Sequence, residues 1–233
     1  MVIGTQLPRR RSGIAGLTHL PGAAVAAGAG AALGALFAAV ALARRSRPLH
    51  PRGAVASARM ELFGGVPDLG SLGVSGHRDV LARFSRAVGL PAALPDIQGL
   101  ALRWQGLGGP NDVLLASTGT GPWSRYVLSA RRSPLGGAFT SLMPFAGPNG
   151  PVLLAAEPTG EPRTLAMRWA TPQGPWQPFG TLVWRAEPAT DSAVRFDPVD
   201  HCPDGLGTYP WTARLRRYPY RWSRRAWPGP STG

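Results

Sequence analysis

The stretch Ser46-Arg-Pro-Leu-His-Pro-Arg-Gly-Ala-Val-Ala-Ser-Ala-Arg-Met-Glu-Leu62 marks the change from a leader into a working domain. Its second half, Ala54 to Phe63, alternates with the period of two expected of a half-buried strand. Its first half carries an Arg-x-x-His-x-x-Gly pattern in Arg47, His50 and Gly53, which delivers a histidine to the mouth of a β structure. Alone, such a histidine has an ordinary alternative as a loop residue at a linker.

Working outward, Gly64-Gly-Val-Pro-Asp-Leu-Gly70 reads as a turn-rich loop. Further strand-like segments follow at Asp79–Val88, Ile97–Trp104, Asp112–Ser117, Val152–Ala156, Thr164–Ala170, Thr181–Ala186 and Ala193–Phe196. With the first, about eight strands punctuated by Gly and Pro predict a mainly β, α+β fold built on a barrel or sandwich. Between the fourth and fifth lies Arg131–Gly147, whose Phe139-Thr-Ser-Leu-Met-Pro segment reads as a short helix.

Charge is distributed unevenly along the 233 residues. Every basic residue is arginine; residues 1–53 hold seven of them and residues 212–233 hold six, with no acid in either end. Residues 54–211 hold twelve Arg and all twelve acids, so the net +13 belongs entirely to the termini. Such ends attract phosphates, carboxylates, nucleic acid or anionic lipid. The single cysteine, Cys202, excludes an intramolecular disulfide and Cys-based zinc or iron–sulfur sites, which makes a reducing cytoplasm the simplest compartment.

Three regions follow: a leader or anchor helix over 1–45, a domain over 46–227 and a disordered tail over 228–233. Gly22 to Ala43 is free of charge and long enough to cross a bilayer, for which about 20 residues are needed. Its Ala and Gly content equally suits a packed or surface-lying helix, so membrane association through residues 22–43 stays open. Near the other end, Thr208 to Trp227 interleaves arginine with six aromatic side chains, a composition that also serves phosphates and stacked bases. The neutral domain beside it gives nucleic acid only a small footprint, which argues against that partner.

Several short stretches, in order, resemble the haem-binding core of the catalase family, including its small catalase-related members. Arg47-x-x-His50-x-x-Gly53 resembles the distal-histidine motif, and Arg83-Phe84-Ser85 resembles an Arg-Phe-Ser strand. Pro95-Asp96-x-x-Gly99-x-Ala101-x-Arg103-Trp104 and the following Asp112-Val-Leu-Leu resemble the next two strands. Phe196-Asp-Pro, Leu206-Gly207 and Arg216-Arg217-x-x-Tyr220-x-x-Ser223 resemble the closing segment that supplies the iron-ligating tyrosine.

The resemblance implies an eight-stranded antiparallel barrel with an N-terminal Ala/Gly-rich helix and a C-terminal proximal helix. It implies haem b held by Tyr220, with Arg216 four residues earlier keeping the phenol ionised. Tyr218 with Arg214 offers the same spacing, and Pro219 disfavours helical geometry at Tyr218, so the ligand is either tyrosine. His50 becomes the acid/base for a peroxide, Ser85 its support, and Arg47 and Arg83 the partners of haem propionates. The family's distal asparagine falls at Ala116 or Ser117.

The expected function is therefore peroxidase-like or organic-hydroperoxide chemistry, with peroxide as substrate and a homo-oligomer as one assembly. A haem-free catalase-fold module binding membranes, anionic ligands or nucleic acid is the alternative. Phosphodiesterase chemistry is disfavoured, because the acids form no two-metal cluster with the four scattered histidines. His19 and His77 read as structural or solvated, and His201-Cys202 as an adjacent pair whose side chains point apart.

Overall fold

The computed structural model describes residues 52–91, 93–185, 189–190, 194 and 196–212. Its long strands are β1 (Arg52–Leu62), β2 (Gly76–Arg86), β3 (Asp96–Gln105) and β4 (Pro110–Ser117). Two short ones, β5 (Ala130–Arg131) and β6 (Phe139–Thr140), are followed by β7 (Phe145–Gly147) and β8 (Gly150–Pro158). The set closes with β9 (Thr164–Ala170), β10 (Gln177–Trp184), β11 (Ala189–Thr190) and β12 (Gly207–Thr208). Helix among the described residues is confined to two 3-10 segments, Pro67–Gly73 and Ser124–Tyr126, and to residues 210–212.

Antiparallel pairing runs β1-β2-β3-β4-β6-β8-β9-β10 and returns to β1, closing an eight-stranded barrel. Alternation decides what fills it. Ala56, Ala58, Met60 and Leu62 of β1, Val80, Ala82 and Phe84 of β2, and Leu100, Leu102 and Trp104 of β3 all point into one buried cluster. The small alanines of β1 leave room for the Phe84 and Trp184 rings, which meet at 5.2 Å between centroids and 58° between planes. An eight-stranded barrel is just wide enough for side chains to fill, and here they do. A ligand site on the barrel therefore belongs to its outer face or its rims.

Two expectations change. Phe139–Thr140 is not helical: it is the barrel strand β6, with Phe139 opposite Ser117 and Ala156, and Thr140 opposite Ala116 and Ala155. Phe139 is fully buried in the core, and Thr140 donates to the Arg125 carbonyl at 2.9 Å. Leu142, at φ 59, then ends the extended run. Of the strand expected at Ala193–Phe196, the described residues Val194 and Phe196 lie in no strand. The expected leader with its Ala/Gly-rich helix, residues 22–43, the expected tail and, apart from residues 210–212, the segment expected as the C-terminal helix lie outside the described residues. No helix among the described residues is long and apolar enough to cross a membrane.

A barrel held by interior packing should fail when its centre is hollowed. Leu102→Ala, at a side chain with no exposed surface, is expected to cost about 2–5 kcal/mol. Leu107→Ala, at a residue 98% exposed on the β3–β4 turn, should stay within about 0.5 kcal/mol. Urea denaturation midpoints of the two variants check the contrast.

Candidate functional site

The outer face of β1 to β4 is set by register. Gly53, Ser85, Gly99 and Ala116 stand opposite one another across the four strands. Two residues along, Val55, Arg83, Ala101 and Leu114 form a second row, and Ser57, Leu81, Arg103 and Asp112 a third. All twelve alternate with the core positions, so all twelve face outward. The first row carries almost no side-chain volume, which leaves a low-relief strip beside a guanidinium. A Cβ built on Gly53 would fall 2.6 Å from Cζ of Arg83, so the Arg83 guanidinium lies directly over Gly53 in the first row. Ser85 sits in the first row and is buried.

In the third row, Asp112 has no exposed surface. Arg103 forks onto it, Nε to Oδ1 at 2.7 Å and Nη2 to Oδ2 at 2.6 Å. The Asp197 amide donates to Oδ2 at 2.6 Å, and His201 Nδ1 lies 3.1 Å from the same oxygen. The Asp112 amide donates in turn to the His201 carbonyl at 2.6 Å. Phe196 covers the Arg103 guanidinium at 5.0 Å. The hydrogen bond to Asp112 holds the Arg103 guanidinium above its ordinary pKa, against the opposing effect of burial, with the charges of Asp112 and Asp197 adding to it. Asp112 thereby clasps the segment around 196–201, which leads toward the C-terminal arginines and tyrosines, onto the same outer face as Ser85 and Arg83.

A second carboxylate shapes the rim. Asp96 accepts the amides of Val88, Gly89 and Leu90 at 3.0, 2.7 and 3.1 Å and has Arg86 Nε at 3.7 Å. It folds the β2–β3 connection into a nest of donors and fixes how β2 and β3 leave the strip.

Of the residues expected at the site, Arg83 and Ser85 are brought together on this face. Arg47, His50, Arg216, Tyr218 and Tyr220 lie outside the described residues. Of the two positions for the family's asparagine, Ala116 is on the strip, opposite Gly99. Ser117 is buried; its hydroxyl donates to the Ser129 carbonyl at 2.6 Å and accepts the Gln98 amide at 3.0 Å. His77 is exposed, opposite Glu61. His201 and Cys202 do diverge: His201 joins Asp112, while Cys202 Sγ contacts Thr208 Oγ1 at 2.8 Å. Among the described residues, no group of three or more His, Cys, Asp or Glu is placed to hold a metal. Arg103 and Asp112 belong to motifs visible in the sequence, but their pairing is not visible there. Opposite charges near the two ends of a tight hairpin were the available signal.

No protein-family model matches the sequence, and no curated protein matches it either. Solved structures do resemble the fold. A bacterial catalase aligns with a TM-score of 0.55 and 14% identity, covering 82% of this chain and 59% of its own. A fungal catalase aligns with a TM-score of 0.57 and 13% identity, covering 98% of this chain and 67% of its own. The barrel is thus catalase-like, and the chain spans about three-fifths of the bacterial enzyme's length.

Removing the clasp's centre leaves the Arg103 guanidinium and the His201 ring without the carboxylate they share. Asp112→Ala is expected to cost about 3 kcal/mol, the low end for a broken buried pair because Arg103 keeps contact with water. Thermal unfolding of Asp112→Ala beside Asp79→Ala, an exposed carboxylate on β2, checks it.

Proposed function

We propose that this chain is a catalase-related haem protein whose chemistry is peroxidase-like, directed at organic hydroperoxides more than at hydrogen peroxide. The observation that carries the reading is the catalase-like barrel with a low-relief outer strip, Gly53, Ser85, Gly99 and Ala116, flanked by the Arg83 guanidinium. The residues present fit a porphyrin: a flat ring needs a face without protruding side chains, and its propionates need a cation at the edge.

Haem b, when bound, would supply the ferric centre at which a peroxide O–O bond is cleaved. Arg83, with Arg47, would pair with the propionates and set the ring's in-plane orientation. Tyr220, or Tyr218, would ligate the iron as a phenolate, with Arg216, or Arg214, holding its proton off. His50 would take the proton from one peroxide oxygen and return it to the other, oriented by the Ser85 hydroxyl. The clasp at Asp112 supports this division of labour, since it ties the segment preceding the tyrosines to the face that carries Arg83 and Ser85.

Ala116 supports the substrate preference. A methyl group opposite Gly99 gives no donor to hold the hydroxyl of hydrogen peroxide, and it leaves apolar room for the carbon substituent of an alkyl hydroperoxide.

Titration of the full chain with hemin tests the cofactor. A saturable Soret band, lost in Tyr220→Phe and kept in Tyr218→Phe, is expected; the reverse pattern moves the ligand to Tyr218. Hemin binding no stronger than to an unrelated arginine-rich protein would support a haem-free module whose two basic ends bind anionic ligands or lipid. On the loaded protein, Ala116→Asn should raise the hydrogen peroxide to cumene hydroperoxide ratio of kcat/KM about tenfold, worth about 1.4 kcal/mol of differential stabilisation, and steady-state assays of both substrates check it.

A further inference from the structure

A cation outside this face has no place in the proposed reaction. Arg131, in β5, is fixed at its backbone by pairing with Asp96 of β3 and by the Gln98 side chain, which donates to the Arg131 carbonyl at 2.7 Å. Its guanidinium donates to the carbonyls of Ala138, at 2.8 Å, and Thr118. Among the described residues, no carboxylate pairs with it, and burial lowers its pKa from the ordinary arginine value. Gly137, at φ +152, lies against the group: a Cβ there would come within 2.7 Å of Arg131 Cζ. The fold thus makes room for a partly desolvated positive charge whose hydrogen bonds, among the described residues, go to backbone carbonyls.

That charge lines a shallow, open surface pocket of about 290 Å³. Thr118, Gly119, Thr120, Gly137 and Glu157 of β8 line it together with Arg131. Glu157 is itself paired with Arg168, Oε2 to Nε at 2.6 Å, which leaves Arg131 uncompensated. A guanidinium lining a polar pocket is a receptor for an oxyanion, because its planar fork matches two oxygens and the ligand restores the charge balance. Glu157 repels a second negative charge and accepts a hydrogen bond, so the fitting ligand is a monoanion with a donor group at its far end.

The geometry points to a second, separate binding site on this protein: the Arg131 pocket holds a small hydroxy-substituted monocarboxylate, its carboxylate on the Arg131 guanidinium and its hydroxyl toward Glu157. The site depends on neither haem nor the tyrosines.

Glycolate, with acetate and inorganic phosphate as comparisons, is titrated into the full chain and followed by amide and Arg131 Nε–H NMR resonances. Saturable shifts at Gly119, Gly137 and Arg131 Nε are expected, with glycolate bound several-fold more tightly than acetate and phosphate weakest. Arg131→Gln should weaken glycolate at least tenfold, whereas Arg132→Gln, at the exposed neighbour, should leave it unchanged. If Arg131→Gln does not fold, Glu157→Gln decides: acetate should then bind more tightly, read at Arg131 Nε, while the advantage of glycolate over acetate falls. Shifts spread evenly over the exposed arginines, or indifferent to both variants, overturn the proposal.

Discussion

Asp112 is the group on which the outer architecture converges, because a carboxylate without exposed surface must find donors for both oxygens inside the protein. It finds them across strand pairing, from Arg103 on β3, and across sequence, from the Asp197 amide and the His201 ring. The first pair needs only the β3–β4 hairpin, and the other two require the chain to return to the barrel after β10. One residue therefore couples the local fold to the path of the C-terminal segment.

The barrel explains why that coupling lies outside. Eight strands enclose only enough volume for Met60, Leu102, Phe139, Met167, Phe179 and their neighbours, all essentially without exposed surface. Chemistry is then left to the outward positions, which follow from the same alternation that fills the core. Asp96, collecting three consecutive amides at the rim, does for the β2–β3 connection what Asp112 does for the C-terminal segment.

Much of this was legible in the residues. Alternation is a local signal, so β1 to β4 and β8 to β10 announce themselves, and parity then puts Arg83 and Ser85 on one face. β6 does not, because two residues cannot display a period. Phe139 and Thr140 are extended only since neighbours on both sides supply the ladder. The Ala193–Phe196 stretch had strand-like composition, but Phe196 is used as a lid over Arg103. The Arg103–Asp112 pair and the placing of Arg131 against backbone carbonyls depend on register and on the path of distant loops, neither of which composition encodes. Site residues carried by resemblance alone, Arg47, His50, Arg216, Tyr218 and Tyr220, fall beyond the described residues.

The proposed seat of a porphyrin is the strip of Gly53, Ser85, Gly99 and Ala116. Paramagnetic broadening of amide resonances by ferric hemin, against a diamagnetic zinc porphyrin in the same protein, reads proximity to iron residue by residue. The account predicts the strongest broadening at those four residues and at Arg83, with Leu165 and Leu182 of β9 and β10 little affected. Equal broadening across the barrel, or a maximum on β9 and β10, would contradict it.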